Sequence, residues 1–486
     1  MKKNITFLVL FCLVVNIGFG QTDLPTDYLS ADFHKERREL LRTSMPENSV
    51  AVIFANPVRN RANDVDYIYH QDPNFQYLTG YKEANSVLLV FSEEQVNGEN
   101  SFNELIYVQK RDASKEMWYG RRLGVEGVSK KLGFSDVYNG EDFKNIPIDF
   151  SKFDKVLFKN FRNDVRDYER DDADLYSLIE QFKTKVSYES IPSAIPADEK
   201  IVEVKTNIDV KGLRTLMASL REIKTKEELV LLKKACEISA VGQIEMMKAM
   251  SPAMSESEIQ GIHEFVYKKY GVEYEGYPSI VGAGNNGCVL HYIDNSKMNA
   301  GKDMVLMDLG AEYHGYTADV TRTIPANGKF NTEQRAIYDL VYAAQEAGIK
   351  KTVIGSHMRK DIDKAGRDII NQGLFDLGII DSVSQKHLYF PHGTSHHIGL
   401  DVHDLSNRGL LKENMIITVE PGIYIPDGSS CDEKWWGIAV RIEDCILVTK
   451  DGPVNFSGMA PRKASEIEEA MKEESILNAF SLPVLD

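Results

Sequence analysis

Hydrophobic and polar residues follow both the helical and the strand period along this chain, and the two halves of the chain combine these periods differently. In the first half, short β-branched runs such as Ser49–Phe54 and Ser86–Phe91 predict strands, while Phe33–Arg42 predicts a charged helix. In the second half, apolar residues at helical spacing mark longer segments between short apolar runs, for example Thr332–Lys350 and Lys360–Leu377. The pattern predicts an α/β N-terminal domain followed by an α+β domain with several amphipathic helices over strands.

A turn-rich stretch, Ile191–Asp198, separates the two patterns. Shortly after it, Thr225 and Glu228 have the spacing of a capping box, which indicates the start of a helix. We therefore expect an N-terminal domain over residues 21–205 and a second domain, large enough to be catalytic, over residues 206–486.

The first 20 residues have the features of a secretory signal peptide. Lys2 and Lys3 precede the apolar run Ile5–Val15, and the small residues Gly18 and Gly20 follow it. A membrane anchor is the alternative, but this run is shorter than the roughly 20 residues that span a bilayer. We expect cleavage after Gly20 and export to the periplasm or the medium, with a mature protein that is not membrane-embedded.

Composition indicates an acidic globular protein. Of its 486 residues, 43% are hydrophobic and 27% are charged, which suffices for large cores in more than one domain. The formal net charge of −16 becomes −18 when Lys2 and Lys3 leave with the signal peptide, which argues against a nucleic-acid partner. Cysteines are too few and too scattered for a disulfide framework or a cysteine zinc site.

Four acids of the C-terminal half lie in apolar, strand-like sequence. Asp308 ends the run MVLMD, Asp319 follows eleven residues later, Glu420 lies in ITVEPGIYI and Glu443 in IAVRIEDCILV. Two surface aspartates beside a hairpin are the alternative for the first pair. A buried charge must be paired or bind a metal, and two like charges about 4 Å apart repel by about 4 kcal/mol at an effective dielectric of about 20. Four buried acids therefore indicate cations.

Histidines are concentrated near these acids. Four of the eleven histidines of the chain lie in the segment PHGTSHHIGLDVHD, as His392, His396, His397 and His403. Two divalent cations would balance four carboxylates, and one neutral imidazole would complete the set. This is the composition of a dinuclear site that makes a bridging water nucleophilic. Spacing alone does not select the histidine.

The ordered motifs DLG-x8-DVTRT, HGTSHHIGLDVHD, EPGIYI and RIED resemble those of the pita-bread (creatinase/aminopeptidase-like) metallopeptidases, which include methionine aminopeptidase, prolidase and Xaa-Pro aminopeptidase. Segments of the first half, among them RDASKEMWYGRRLG, resemble the N-terminal domain of Xaa-Pro aminopeptidases, which methionine aminopeptidase lacks. The resemblance implies a pita-bread C-terminal catalytic domain. It also implies five metal ligands, with the second and the last bridging both ions: Asp308, Asp319, His396, Glu420 and Glu443.

The resemblance further implies hydrolysis of the bond between an N-terminal residue and a penultimate proline, with attack by a hydroxide that bridges the metals. Glu420 would also move the proton, His403 would donate to the scissile carbonyl, and His291 would contact the substrate. The remaining implied contacts with the peptide are those of His392, Tyr277, Arg441 and, from a neighbouring subunit of a homodimer or homotetramer, Trp118. Three alternatives stay open: His291 as a satisfied strand-end histidine, Arg441 as a brace for Asp308, and Trp118 as a surface residue of its own subunit.

The donor set of four carboxylates and one imidazole is hard, which favours two Mn²⁺ ions per subunit over Zn²⁺ or Co²⁺. Proline-containing peptides are the expected substrates. Prolidase, the dipeptidase of the same fold, is one alternative function, and a non-catalytic binding protein on the same scaffold is another. Asp404 and Asp444 are expected to support the site or to lie at the surface.

Overall fold

The N-terminal domain is an α/β sandwich around one mixed sheet. In the computed structural model, the described residues are 27–160, 171–188 and 206–479, so the expected signal peptide lies outside them. The helices of this domain are α1 (Ala31–Ser44), α2 (Pro73–Thr79), α3 (Ala113–Tyr119), α4 (Gly124–Leu132) and α5 (Leu175–Lys185). Its strands are β1 (Ser49–Phe54), β2 (Asn60–Ala62), β3 (Val65–Asp66), β4 (Val87–Asn97), β5 (Asn100–Val108), β6 (Val137–Asn139), β7 (Lys155–Phe158) and β8 (Ile208–Asp209).

Six of these strands form the sheet in the order β6-β5-β4-β1-β7-β8. The central strand β1 pairs antiparallel with β4 and parallel with β7. It begins and ends at the predicted residues, because Ser49–Phe54 is buried on both faces and its β-branched residues pack against helices on each side. Because β8 pairs with β7, the sheet reaches Asp209. The boundary at residue 205 itself stays a prediction.

In the second domain, helices lie outside several small sheets of short strands. Its helices are α6 (Gly212–Arg221), α7 (Lys226–Ala249), α8 (Glu256–Lys269), α9 (Thr332–Lys351), α10 (Lys364–Asp376) and α11 (Ala464–Ala470). Its strands are β9 (Tyr274–Glu275), β10 (Ile280–Ala283), β11 (Met304–Leu309), β12 (Ala311–Tyr313), β13 (Tyr316–Thr317), β14 (Val320–Pro325), β15 (Ile416–Val419), β16 (Gly422–Ile425), β17 (Ile438–Arg441), β18 (Asp444–Thr449) and β19 (Gly452–Asn455). The predicted capping box at the start of α7 is present, and a second one, Ser255 with Glu258, begins α8.

The described strands of this domain form four sheets, and residues in or next to these strands line one cavity. The sheets have the orders β10-β11-β14, β13-β12-β9, β15-β18-β19 and β16-β17. The chain crosses from one sheet to another at Glu420-Pro421, since β15 pairs with β18 but β16 pairs with β17. It crosses back at Ile442-Glu443 for the same reason. The prediction of one continuous strand through Glu443 is therefore wrong, because two short strands in different sheets share that apolar run.

The predicted fold class, an α/β N-terminal domain with a pita-bread C-terminal domain, is confirmed. Within the described part of the chain, no helix combines the length and the apolar character needed to cross a bilayer.

Candidate metal centre

Strands β11 and β14 position the first two acids. They pair antiparallel, and Asp308 lies opposite Thr321, two residues beyond Asp319. Asp308 is the fifth residue of β11, whereas Asp319 lies directly before β14. The second strand therefore returns beside the first, with a short hairpin of β12 and β13 between them. Both carboxylates point from buried backbone into the cavity.

The two sheet crossings position the other acids. Glu420 follows β15 and Glu443 precedes β18, so each acid lies where a strand has just left one sheet. The backbone of Asp319 is joined to β18 by the Cys445 thiol, which donates to Asp319 O at 3.1 Å. His396 lies beside β15, where Thr418 N donates to His396 O at 2.9 Å. These contacts gather residues that are far apart in sequence.

All five predicted ligands line a single cavity of about 630 Å³. Potential ligand atoms of Asp319, His396 and Glu443 lie within 4.8 Å of one another. The Nε2 atom of His396 lies 3.3 Å from Asp319 Oδ2 and 3.4 Å from Glu420 Oε1. Asp308 joins this group through the Tyr277 hydroxyl, which lies 2.6 Å from both Asp308 Oδ1 and Asp319 Oδ1 and shares its one proton between them.

The four acids that line the cavity carry more negative charge than its basic side chains balance. Burial and the carboxylates of Asp308 and Glu420 raise the pKa of Asp319 well above its usual range. Burial and the charge of Asp319 likewise raise the pKa of Glu443 well above its usual range, and burial raises that of Glu420. Burial opposes ionisation of Asp308 as well, but the Arg441 guanidinium holds its pKa below the usual value.

The residues fit divalent cations. Glu443 Oε1 is buried and accepts no hydrogen bond from any described residue, while its Oε2 accepts one from Thr321 at 2.7 Å. His396 Nδ1 lies 3.1 Å from the carbonyl oxygen of His397, so Nδ1 carries the proton and donates it. The Nε2 lone pair is then free to face the carboxylates, which is the arrangement of a metal-binding histidine. Carboxylate oxygens with one imidazole form a donor set that divalent ions accept.

Two of the residues predicted to bind the proline ring are engaged in bracing the acids. Arg441 donates from Nη2 to Asp308 Oδ2 at 2.5 Å and from Nη1 to the Tyr424 hydroxyl at 2.8 Å. Tyr277 donates to Asp308 and Asp319 as above. His392 contacts the same hydroxyl of Tyr424 through Nε2 at 2.7 Å. All three line the cavity, and their contact with the ring stays a prediction.

His403 and His291 also line the cavity. The ring of His403 stands edge-on to that of His396, with 4.3 Å between centroids. Burial and the neighbouring imidazoles of His396 and His291 lower the pKa of His403, so it is neutral near pH 7. A neutral imidazole at this position can donate one proton into the cavity. The apolar part of the lining, here called the apolar wall, consists of Pro278, Ile280, Leu290, Ile293 and Val402.

Trp118 lies away from this cavity in the single chain. None of the residues of α3 is buried, and the side chains of Met117, Trp118 and Tyr119 are 76%, 77% and 78% exposed. The described chain alone therefore does not bring Trp118 to the site.

Sequence reasoning offered Arg441 as a brace for Asp308 but missed three other residues that support the site. Thr321 and Thr418 donate from their hydroxyls to Glu443 and Glu420, at 2.7 and 3.3 Å. Tyr424 connects His392 with Arg441. The alternation of β16 gave a usable signal for Tyr424, since a tyrosine in a fully buried strand needs a partner for its hydroxyl.

Comparison with known proteins matches both domains. Residues 230–450 match the profile of metallopeptidase family M24, and residues 34–156 match that of the aminopeptidase P N-terminal domain. The chain is 34% identical to the Xaa-Pro aminopeptidase of Haemophilus influenzae over 90% of its own length and 96% of that protein. It is 30% identical to human Xaa-Pro aminopeptidase 3, over 88% of this chain and 82% of that protein.

Solved structures agree with the sequence comparison. Aminopeptidase P from Escherichia coli with the inhibitor Pro-Leu superposes with a TM-score of 0.77 at 30% identity, covering 92% of this chain and 99% of that one. Both domains and their order are thus shared with these relatives. The chain belongs to metallopeptidase family M24, in its aminopeptidase P group.

Proposed function

We propose that this protein is an Xaa-Pro aminopeptidase, which releases the N-terminal residue of peptides whose second residue is proline. The observation that carries this proposal is the single cavity that holds Asp308, Asp319, His396, Glu420 and Glu443 together with His403 and an apolar wall. Relatives from Haemophilus influenzae and Escherichia coli, which match over most of their length, carry this activity in their names.

The five acidic and imidazole side chains would hold two divalent ions, and we propose Mn²⁺ as the activating ion. Hard carboxylate oxygens dominate the donor set, which suits Mn²⁺ better than softer ligands would. When bound, divalent ions supply Lewis acidity and make water nucleophilic near neutral pH. The orphaned Glu443 Oε1 and the raised pKa values of Asp319 and Glu443 support this assignment, because cations would satisfy both.

The chain's own residues position the peptide and move protons. His403, which is neutral, donates to the scissile carbonyl oxygen as negative charge develops there. Glu420 takes a proton from the attacking water and returns it to the prolyl nitrogen as the bond to that nitrogen breaks. Burial raises the pKa of Glu420, which suits a group that must accept a proton and then release it. The apolar wall offers the prolyl ring of the peptide an apolar surface, and Tyr277, His392 and Arg441 add polar groups to the same cavity.

We propose that the protein works as a homodimer or homotetramer in which a neighbouring subunit brings Trp118 to the rim of the site. Three consecutive exposed apolar side chains, Met117–Tyr119, support an interface there. Sedimentation analysis of Trp118→Ser tests it: we expect smaller particles and weaker cleavage, with Ser114→Ala on the same helix as the control. An unchanged particle with unchanged cleavage contradicts the role.

We also propose export to the periplasm or the medium, supported by the signal-like sequence of residues 1–20. N-terminal sequencing of the protein recovered from the producing cell tests this. We expect the mature chain to begin at Gln21, whereas recovery in the cytoplasm with Met1 intact contradicts export.

Peptide cleavage tests the function. A tripeptide Xaa-Pro-Xaa and a dipeptide Xaa-Pro are incubated with the protein, with and without a chelator, and the products are identified. We expect release of the first residue from the tripeptide and loss of that release with the chelator. Cleavage of the dipeptide alone would indicate a prolidase, and cleavage of neither would indicate a non-catalytic relative.

A further inference from the structure

One loop brings three residues to the cavity without being part of a sheet. It runs from the 3₁₀ turn Gly284–Cys288 to Lys297, and it carries Leu290, which packs in a small apolar cluster, and His291 and Ile293; all three line the cavity. The side chain of Ile293 is 54% exposed and His291 is exposed, so neighbouring side chains do little to hold either one. Their positions therefore depend on how the loop backbone is held.

A buried carboxylate holds both ends of this loop. Glu256, the first residue of α8, is fully buried and lies outside the cavity lining. Its Oε1 accepts from Ala283 N at 2.7 Å and from Asn286 Nδ2 at 3.0 Å. Its Oε2 accepts from the Tyr292 hydroxyl at 2.8 Å and from Lys297 N at 2.8 Å.

These four partners all donate, so the arrangement requires a group that only accepts. An ionised carboxylate has that property and a carboxamide does not. The position of Glu256 at the N-terminus of α8 adds the positive end of the helix dipole. Among the described residues, Glu256 forms no ion pair with a basic side chain, so its negative charge is stabilised by these donors and by the helix dipole.

Asn295 fixes the loop independently of Glu256. It is buried with a left-handed backbone (φ +43°), accepts from Val281 N at 2.9 Å, and donates to Gln260 Oε1 and Ser279 O at 2.8 and 2.9 Å. Since Tyr292 lies between His291 and Ile293, the bond from its hydroxyl to Glu256 sets the direction of both neighbours. Glu256 and Asn295, which do not line the cavity, thus hold the loop, and its cavity-lining side chains are left free to contact a ligand.

We infer that Glu256 is a positioning residue for substrate: its carboxylate holds loop 284–297 so that His291 and Ile293 face the peptide. This inference rests on the proposed function and deepens it, because it assigns part of substrate binding to a residue that touches neither substrate nor metal. Its effect passes through Tyr292 to the two wall residues.

Glu256→Gln tests the inference with an almost unchanged shape. The amide nitrogen would face two donors on one side, which costs buried hydrogen bonds and loosens the loop. We expect KM for an Xaa-Pro-Xaa tripeptide to rise about tenfold while kcat falls less than about threefold, the signature of lost binding rather than lost chemistry. Metal content is expected to stay at the wild-type value. Glu258→Gln is the matched control, because Glu258 is exposed and glutamine also completes a capping box.

A double-mutant cycle separates positioning from a general loss of stability. In a background that carries His291→Ala and Ile293→Ala, Glu256→Gln should raise KM by less than about twofold, because the residues that it positions are gone. Equal effects in both backgrounds overturn the inference. Tyr292→Phe, which removes one donor and leaves the carboxylate, serves if Glu256→Gln does not fold; we expect a smaller rise in KM, and a wild-type KM overturns the inference.

Hydrogen exchange distinguishes failure of this inference from failure of the proposed function. The amides of Ala283 and Lys297 donate to Glu256 and should exchange faster in Glu256→Gln, whatever the substrate is. If wild-type protein cleaves no Xaa-Pro-Xaa peptide, the proposed function fails and the catalytic part of the inference fails with it. If wild-type protein cleaves and these amides exchange at the wild-type rate in the variant, only the inference fails.

Discussion

The Arg221 guanidinium and the Asp404 carboxylate form an ion pair that excludes water, with 2% and 1% of their side chains exposed. Asp404 directly follows His403, and Lys224 Nζ donates to its other oxygen at 2.9 Å. Arg221 also donates to Asn74 Oδ1 at 2.7 Å, and Asn74 belongs to α2 of the N-terminal domain. The backbone that carries His403 is therefore fixed by a charge network that reaches the other domain.

Removing the charge of Asp404 should damage both stability and catalysis. Asp404→Asn leaves Arg221 and Lys224 buried without the carboxylate to which both donate, so we expect urea unfolding to show a loss of about 3–5 kcal/mol. The variant that still folds should have a lower kcat, because His403 loses its support. Asp401→Asn is the control: Asp401 is 46% exposed, so its ion pair with Arg221 should contribute at most about 1 kcal/mol. Equal losses in the two variants contradict this account.

Asp319 is predicted to bridge both ions, and Asp319→Asn separates that role from folding. Loss of a charged ligand should lower kcat by at least about 1,000-fold and reduce bound metal. The metal-free protein should unfold at the same urea concentration as wild type or higher, because the variant removes one of several repelling carboxylates. Asp376→Asn on the exposed face of α10 is the matched control. Unchanged turnover in Asp319→Asn refutes the bridging role.

Metal dependence follows from the same group of acids. Dialysis against a chelator should abolish tripeptide cleavage and lower the melting temperature, because the acids then repel one another without compensation. Mn²⁺ should restore activity better than Zn²⁺ or Co²⁺, since the donor set is dominated by hard oxygens. Titration of each ion into metal-free protein should reach full activity at two ions per chain. Best recovery with another ion, or saturation at one, contradicts the prediction.

The positions of the acids show how far the sequence leads. Apolar runs around Asp308 and Glu420 predicted strands near the observed residues, because a buried strand needs β-branched residues whatever it pairs with. The run around Glu443 wrongly predicts one strand, since a local pattern does not reveal that β17 and β18 pair in different sheets and that the chain is divided between them. That division is what places Glu443 at a crossing and points its carboxylate into the cavity.

The residues that support the site could not be predicted from a local pattern, because their contacts join distant parts of the sequence. Glu256 lies 27 to 41 residues from its four partners, and each partner alone has an ordinary loop sequence. Arg221 and Asp404 are 183 residues apart. The choice of His396 among four histidines came from resemblance, whereas the structure gives its reason: His396 alone of the four has Nε2 within 3.4 Å of two of the acids. Long-range contacts of this kind are fixed by topology rather than by spacing.

His314 joins the start of the described chain to the second domain through contacts with Asp27 and Glu273. We predict that these contacts weaken in acid. This buried histidine has a left-handed backbone (φ +53°), and its Nδ1 and Nε2 lie 2.7 Å from Glu273 Oε1 and 2.8 Å from Asp27 Oδ1. Burial opposes ionisation of Glu273, but the bonds from the His314 side chain and backbone lower its pKa to about 2. A carboxylate whose pKa is lowered in the folded state stabilises the protein above its unfolded pKa, which is about 4.3.

Glu273→Gln should therefore cost stability at neutral pH and progressively less in acid. We expect the variant to unfold more easily by about 1–2 kcal/mol at pH 7, a value reduced for the partial exposure of this carboxylate. The difference should hold down to about pH 5 and shrink between about pH 4 and pH 2, where wild-type Glu273 takes up its proton and loses the same advantage. Urea unfolding of both proteins across this range measures it, with the exposed Glu474→Gln as control. A difference that is constant with pH would mean that Glu273 contributes through packing and not through its charge.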